Sequence, residues 1–200
     1  MISHVECCEG VLILPRAFYA NDPALVARNL LGRVLVRRIG SDVLSGKIVE
    51  TEAYYGEGDP ASRAFRGEKT YNRVMFEEPG RAFVYMVHSH WLLNFVAHPE
   101  GEVGAVLIRA LEPLQGMDAM SRNRGVRDVR ALTNGPGKLT RAIGITNELN
   151  GMDVTEDGPL VVVEGDGGDF EVGSSHRVGV RLDLPQELRF FIKGNRFLSR

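Results

Sequence analysis

Ile48-Val49-Glu50-Thr51-Glu52-Ala53-Tyr54 is the stretch on which the reading of this chain turns. Alternate side chains of a strand share a face, so Glu50, Glu52 and Tyr54 fall on one side and Val49, Thr51 and Ala53 on the other. With the small apolar side against a core, two carboxylates and a phenol project together into solvent or a cleft. Upstream, residues 33–39 and 43–55 are β-rich runs separated by Gly40-Ser41-Asp42, which predicts a hairpin. Before them, Asp22-Pro23 followed by Leu25, Val26, Leu30 and Leu31 predicts a helix with Asp22 as N-cap, Pro23 at its first position and Gly32 closing its end.

Downstream, residues 56–81 hold Gly, Pro and charges with little periodicity; so long an irregular stretch in a compact domain is more often functional than idle. Residues 82–87, 91–97 and 105–111 have the composition of buried strands, and 160–164, 177–182 and 188–192 are read as further strands. Short helices are expected between 116 and 141, the later one signalled by Gly135-Pro136 ahead of Lys138-Leu139, and a turn at 165–169. No linker divides the 200 residues. The expected fold is α+β: one domain, 1–200, with a curved, mainly antiparallel sheet flanked by short helices and an N-terminal extension over 1–14.

Two polar residues interrupt apolar strands. Arg109 lies inside Val106-Leu107-Ile108-Arg109-Ala110-Leu111, where an unpaired charge would be very costly. Asn94 lies inside Trp91-Leu92-Leu93-Asn94-Phe95-Val96. With the carboxylate pair they indicate a polar pocket within the core. His88-Ser89-His90 would place two imidazoles on one strand face, but a zinc site needs a third ligand and only His98 or a carboxylate could serve, so no metal and no cofactor is expected. Cys7 and Cys8 are neighbours in sequence, a poor geometry for a disulfide, and read as reduced thiols. The chain has neither a signal-peptide pattern nor an apolar run of membrane-spanning length, so a soluble intracellular protein with no membrane partner is expected, cytoplasmic and nucleoid-associated if the source is prokaryotic.

Net charge is −2, from 24 basic and 26 acidic side chains. Eight of the acidic residues fall in 147–171, which has no Lys or Arg, so the rest of the chain holds 24 basic against 18 acidic. Arg122, Arg124, Arg127, Arg130, Lys138 and Arg141 form one basic stretch, and Arg63, Arg66, Lys69, Arg73 and Arg81 another. Local rather than net charge governs a phosphate-binding face. Of the first stretch, Arg122, Arg124, Arg127, Lys138 and Arg141 are candidate contacts to a DNA backbone.

Taken together and in order, several segments resemble the alkyladenine (3-methyladenine) DNA glycosylase family. They are Leu31-Gly32-Arg33-Val34-Leu35-Val36-Arg37, Ile48 to Tyr54, Asp59-Pro60-Ala61-Ser62, Val74-Met75-Phe76, Val84-Tyr85, Val106-Leu107-Ile108-Arg109-Ala110-Leu111-Glu112-Pro113 and Asn134-Gly135-Pro136-Gly137-Lys138-Leu139. The resemblance runs from about residue 15 to the end. It implies that Glu52 activates the attacking water with help from Arg109, that Tyr54 and Tyr85 stack on the two faces of a flipped base, and that Asn94 screens purines by their 2-amino group. The implied partner is double-stranded DNA containing a damaged purine, bound by a monomer, and the implied reaction is hydrolysis of the N-glycosidic bond of 3-methyladenine or hypoxanthine without strand cleavage.

Two departures stand out. Where the family has a base-binding histidine this chain has Arg63, which donates but never accepts and is always charged. Where the family has Tyr-Gly-Met this chain has His88-Ser89, one residue shorter, so that His88 takes the place of the tyrosine that wedges into the duplex, with Met86 as a second candidate. A DNA-binding module of this family without catalysis is the alternative reading. A sugar hydrolase is a third, since same-face carboxylates about 7 Å apart suit an inverting mechanism.

Overall fold

The computed structural model describes residues 12–199. Cys7, Cys8 and most of the expected N-terminal extension lie outside them; of the remainder, Ile13 bridges to Val163 and Leu14 is buried with its N–H on the Val162 carbonyl.

The expected strand is β2, Asp42–Tyr54, and it is the branch point of the sheet. Its first half pairs with β1 (Val34–Ile39) in the predicted hairpin, its second half with β8 (Arg189–Ile192), and along its other edge it runs against β5 (Ala105–Gln115). Beyond β5 come β4 (His90–Val96) and β3 (Ala82–Val87); beyond β1 comes β6 (Leu160–Val163), while β7 (Val172–Ser175) pairs with β8. Every pairing is antiparallel and the eight-stranded sheet is curled. The β2–β5 register slips by one residue around Glu50, the kind of irregularity that bends a strand.

Helices cover one face. After a single turn, α1 (Arg16–Tyr19), comes α2 (Pro23–Asn29), which begins as its sequence predicts: the Asp22 carboxylate accepts from the N–H groups of Ala24 and Leu25, and Gly32 leaves with φ +82°. Val26, Ala27 and Leu30 pack in the main core with Val49 and Ala53, and Thr51 donates to the Ala27 carbonyl. The Val-Thr-Ala face of β2 is therefore the helix-covered one, and Glu50, Glu52 and Tyr54 point to the other side. Two further helices, α3 (Met117–Arg124) and α4 (Pro136–Ala142), fall in the predicted window. A second, smaller apolar cluster of Ala64, Met75, Phe83, Val96 and Ala105 lies on the opposite side, with Tyr54 and Tyr85 against it.

One predicted strand does not form. Residues 177–182 are irregular, because their backbone and side chains bond to residues outside any ladder: Arg177 is buried on Asp59 and Asp183, and the Val178 N–H goes to Glu52. The His-x-His pattern also reads differently. His88 and Ser89 are the two turn residues of the β3–β4 hairpin, with φ of +46° and +64°, so the two imidazoles do not share a strand face.

Candidate active site

Arg109 and the two glutamates meet as the strand periodicity allows. Arg109 projects from β5 between them, its Nε 2.9 Å from Glu50 Oε1 and its Nη1 3.1 Å from Glu52 Oε1. Both carboxylates are 0% exposed. Their surroundings nonetheless differ. Glu50 accepts from Arg109 Nε, from Arg189 Nε at 2.8 Å, and from both the hydroxyl and the N–H of Ser199 at 2.6 Å, so its oxygens are saturated. Glu52 accepts from the Val178 N–H at 2.7 Å and the Tyr54 hydroxyl at 2.7 Å besides its contact with Arg109.

The two acids are driven apart in consequence. Burial pushes Glu52 up, and Arg109, Val178 and Tyr54 only partly offset it, leaving its carboxyl above the usual range. Burial acts on Glu50 too, but the hydrogen bonds from Ser199 and Arg189 and the charge of Arg109 outweigh it and hold Glu50 below that range. A pair split this way divides labour: the acid with the raised value is the better proton acceptor when ionised, and the other stays a fixed anion.

Tyr54, Arg109 and Val178, the three partners of Glu52, all line one cleft of about 810 Å³. That cleft runs between the β3–β4 hairpin, the 60–71 stretch, the 178–182 loop and the start of α4. Gly137 brings α4 in: a Cβ there would stand 2.8 Å from that of His90. Tyr85 and His88 also line the cleft, with His88 exposed at the hairpin tip. Met86, half exposed, is not part of the lining, as expected for a strand residue between Tyr85 and Val87, which are.

Deeper in, Tyr54, Arg63, Tyr85 and Asn94 border a smaller cavity of about 10 Å³, room for about one water. Asn94 is buried and donates from Nδ2 to the Phe83 carbonyl at 3.1 Å. Phe83 and Tyr85 stack at a tilt, ring centroids 4.9 Å apart. The Arg63 guanidinium lies over the Tyr85 ring, 4.7 Å from its centroid.

Arg177 was not singled out by the sequence, and it holds this region together. Its guanidinium takes Asp59 bidentately, at 2.6 and 2.8 Å, donates to Asp183 and to the Ala53 carbonyl, and covers the Tyr54 ring at 4.5 Å. It thereby ties the loop that carries Val178 to the end of β2. The signal in the sequence was Asp59, a carboxylate in a Gly/Pro-rich loop that needed a cation. Ser199 and Arg189, which saturate Glu50, carried no comparable signal.

The expected backbone contacts fare unevenly. Arg122, Arg124, Arg127, Lys138 and Arg141 do not line the cleft, whose exposed cations among the described residues are Arg63, Arg66 and Arg181. Arg124 donates to the carbonyls of Leu132 and Ala131, Arg141 to that of Asn123, and Lys138 to Asn134 Oδ1. Arg122 and Arg127 are exposed, and their side chains make no hydrogen bond or ion pair among the described residues. His98, the imagined third metal ligand, is buried between the carbonyls of Pro99 and Glu77, and no three His, Cys, Asp or Glu side chains converge among the described residues. Among the described residues no helix is long and apolar enough to cross a membrane.

Against known proteins, the model of the family described as methylpurine-DNA glycosylase matches residues 17–196. Similar proteins occur in Carboxydothermus hydrogenoformans (41% identical, covering 94% of this chain and 100% of the relative), Methanoculleus marisnigri (44%, 94% and 100%) and Aeropyrum pernix (44%, 94% and 93%). All three are provisionally named 3-methyladenine DNA glycosylases.

Proposed function

The chain belongs to the methylpurine-DNA glycosylase family, and from that premise we propose that it hydrolyses the N-glycosidic bond of 3-methyladenine, and of hypoxanthine, in double-stranded DNA. A base inside a duplex is out of reach, so the damaged nucleotide is extruded into the 810 Å³ cleft. Tyr54 and Tyr85 supply the aromatic faces for it, Asn94 meets its edge deep in the pocket, and His88 enters the space it leaves in the duplex.

Glu52 takes a proton from water as the water oxygen bonds to the anomeric carbon. The bond from that carbon to the base breaks, and its electron pair leaves with the base. The transition state carries oxocarbenium character, which the same carboxylate stabilises. An N-alkylated purine already bears positive charge and departs neutral without acid help, whereas hypoxanthine departs as an anion and takes up a proton from solvent. Arg109 holds Glu52 and the water in place, while Glu50, saturated by Ser199 and Arg189, anchors Arg109.

The single observation that carries the reading is the Glu52 carboxylate, raised toward proton affinity and bonded only to groups that themselves line the cleft. The test is chromatographic detection of free base from duplexes each carrying one lesion. Release of 3-methyladenine, leaving an abasic site in an unbroken strand, is the expected outcome. A covalent protein–DNA adduct trapped by borohydride would instead assign an amine nucleophile and refute the water-activating role of Glu52.

A further inference from the structure

Of the three exposed cations of the cleft, Arg63, Arg66 and Arg181, Arg63 is the one that also walls the small inner cavity, and it has no counter-ion among the described residues. Glu50 and Glu52 hold Arg109, with Arg189 also on Glu50, and Asp59 and Asp183 hold Arg177. Arg63 is exposed and its guanidinium makes no ion pair among the described residues; its side-chain contact is Tyr85, over whose ring it lies. It also walls a cavity that in this state admits about one water. Phe83, Asn94 and Met75, on the other walls, are buried and packed, so the wall free to yield is Arg63.

We propose that Arg63 is a specificity-determining residue that sorts lesions by charge: it leaves the Tyr85 face when a base enters, stays beside the base edge, and favours uncharged 6-oxopurines over cationic N-alkylated purines. This rests on the glycosylase reading above and deepens it. The physical basis is twofold. A guanidinium is a planar fork of donors that matches two adjacent acceptors, such as the O6 and N7 of a 6-oxopurine. It cannot lose its proton, so it repels a base that carries its own positive charge, most strongly in a pocket from which water is excluded. The buried carboxylates Glu50, Glu52 and Asp59 are committed to Arg109, Arg189 and Arg177. Guanine would present the same two acceptors, so this device separates lesion classes from one another rather than damaged from undamaged bases.

The experiment measures single-turnover release of hypoxanthine from a duplex carrying one such base, and of 7-methylguanine from dimethyl sulfate-treated duplex. The parent is compared with Arg63→Gln, which keeps a donor and drops the charge, and with Arg63→Lys, which keeps the charge and drops the fork. Because Arg63 is exposed and unpaired, neither change should disturb folding, which melting verifies. The expected result is that the ratio of 7-methylguanine to hypoxanthine release rises about tenfold or more in the Gln variant and stays low in the Lys variant. A ratio that does not move in the Gln variant, or that moves as far in the Lys variant, overturns the proposal while leaving the glycosylase reading in place. No release of either base by the parent overturns the proposal, and the glycosylase reading falls with it when 3-methyladenine is not released either.

Discussion

Glu50→Gln and Glu52→Gln exchange one oxygen for one amide group at two positions on the same strand face, and they are expected to fail in opposite ways. At position 52 the amide oxygen can still accept from the Val178 N–H and Arg109 Nη1, and the amide nitrogen can donate to the Tyr54 hydroxyl oxygen. Arg109 keeps Glu50 as counter-ion, so the fold should hold. What disappears is the proton acceptor. Loss of a positioned general base costs about 10²–10⁴-fold, which at about 1.4 kcal/mol per decade is roughly 3–5 kcal/mol of barrier. At position 50 the same exchange turns a donor toward donors. Ser199 and two guanidinium groups converge there, and Arg109 and Arg189 would lose their shared anion inside the protein. Breaking a buried pair costs about 3–5 kcal/mol, a fall in Tm of roughly 10 °C for a domain of this size. Single-turnover base release and thermal melting read the two effects separately. A Glu52→Gln variant within threefold of the parent rate, or a Glu50→Gln variant that melts with the parent, would refute the division of labour between them.

The pH dependence follows with the same sign. As the proposed base, Glu52 would act ionised, and its carboxyl is raised by burial, so the rate should climb with pH through a midpoint above the ordinary carboxylate range, and in Glu52→Gln the residual rate should be flat there. Glu50 is depressed, so the stability it contributes is present above the unfolded value and lost as pH falls through its lower folded value; acid melting should shift less in Glu50→Gln than in the parent. For the basic stretch after β5, Arg127→Glu should leave Tm unchanged and reduce the salt dependence of DNA binding by about one phosphate contact, whereas Arg124→Ala, which frees the carbonyls of Ala131 and Leu132, should lower Tm by a few degrees. Titrations at several salt concentrations separate them. At the β3–β4 turn, Ser89→Gly should stabilise by about 0.5–1 kcal/mol, since glycine accepts φ +64° at no steric cost, and an unchanged or lower melting temperature would count against that turn geometry.

Much of the arrangement was readable from alternation alone. The strand through 48–54 and the apolar run around Arg109 predicted a buried polar meeting point, and Arg109 does bridge Glu50 and Glu52. The helix at Asp22-Pro23 and the hairpin at Gly40 were equally plain, because capping and turn chemistry are local. Sequence was weakest where a long-range partner decides the backbone. Residues 177–182 have a strand-like composition, but Arg177 finds Asp59 118 residues away and the loop takes its shape from that pair. Arg124 counted as a phosphate ligand for the same reason: nothing in its neighbours discloses that two carbonyls claim it. His88-Ser89 lacks the glycine or asparagine that usually marks a two-residue turn, so its left-handed backbone had no signature.

The threefold pairing of β2 bears on how damage is sensed. With β1, β5 and β8 all bonded to it, the segment around Glu52 has no free edge from which to fray, and its amides should exchange with solvent only when the whole domain opens. A rigid blade of this kind cannot flex to test one nucleotide after another. On the proposed reading, interrogation of DNA falls to the unladdered rims, the 60–71 stretch, the His88 tip and the loop pinned by Arg177, while the Glu52 carboxylate stays fixed behind them.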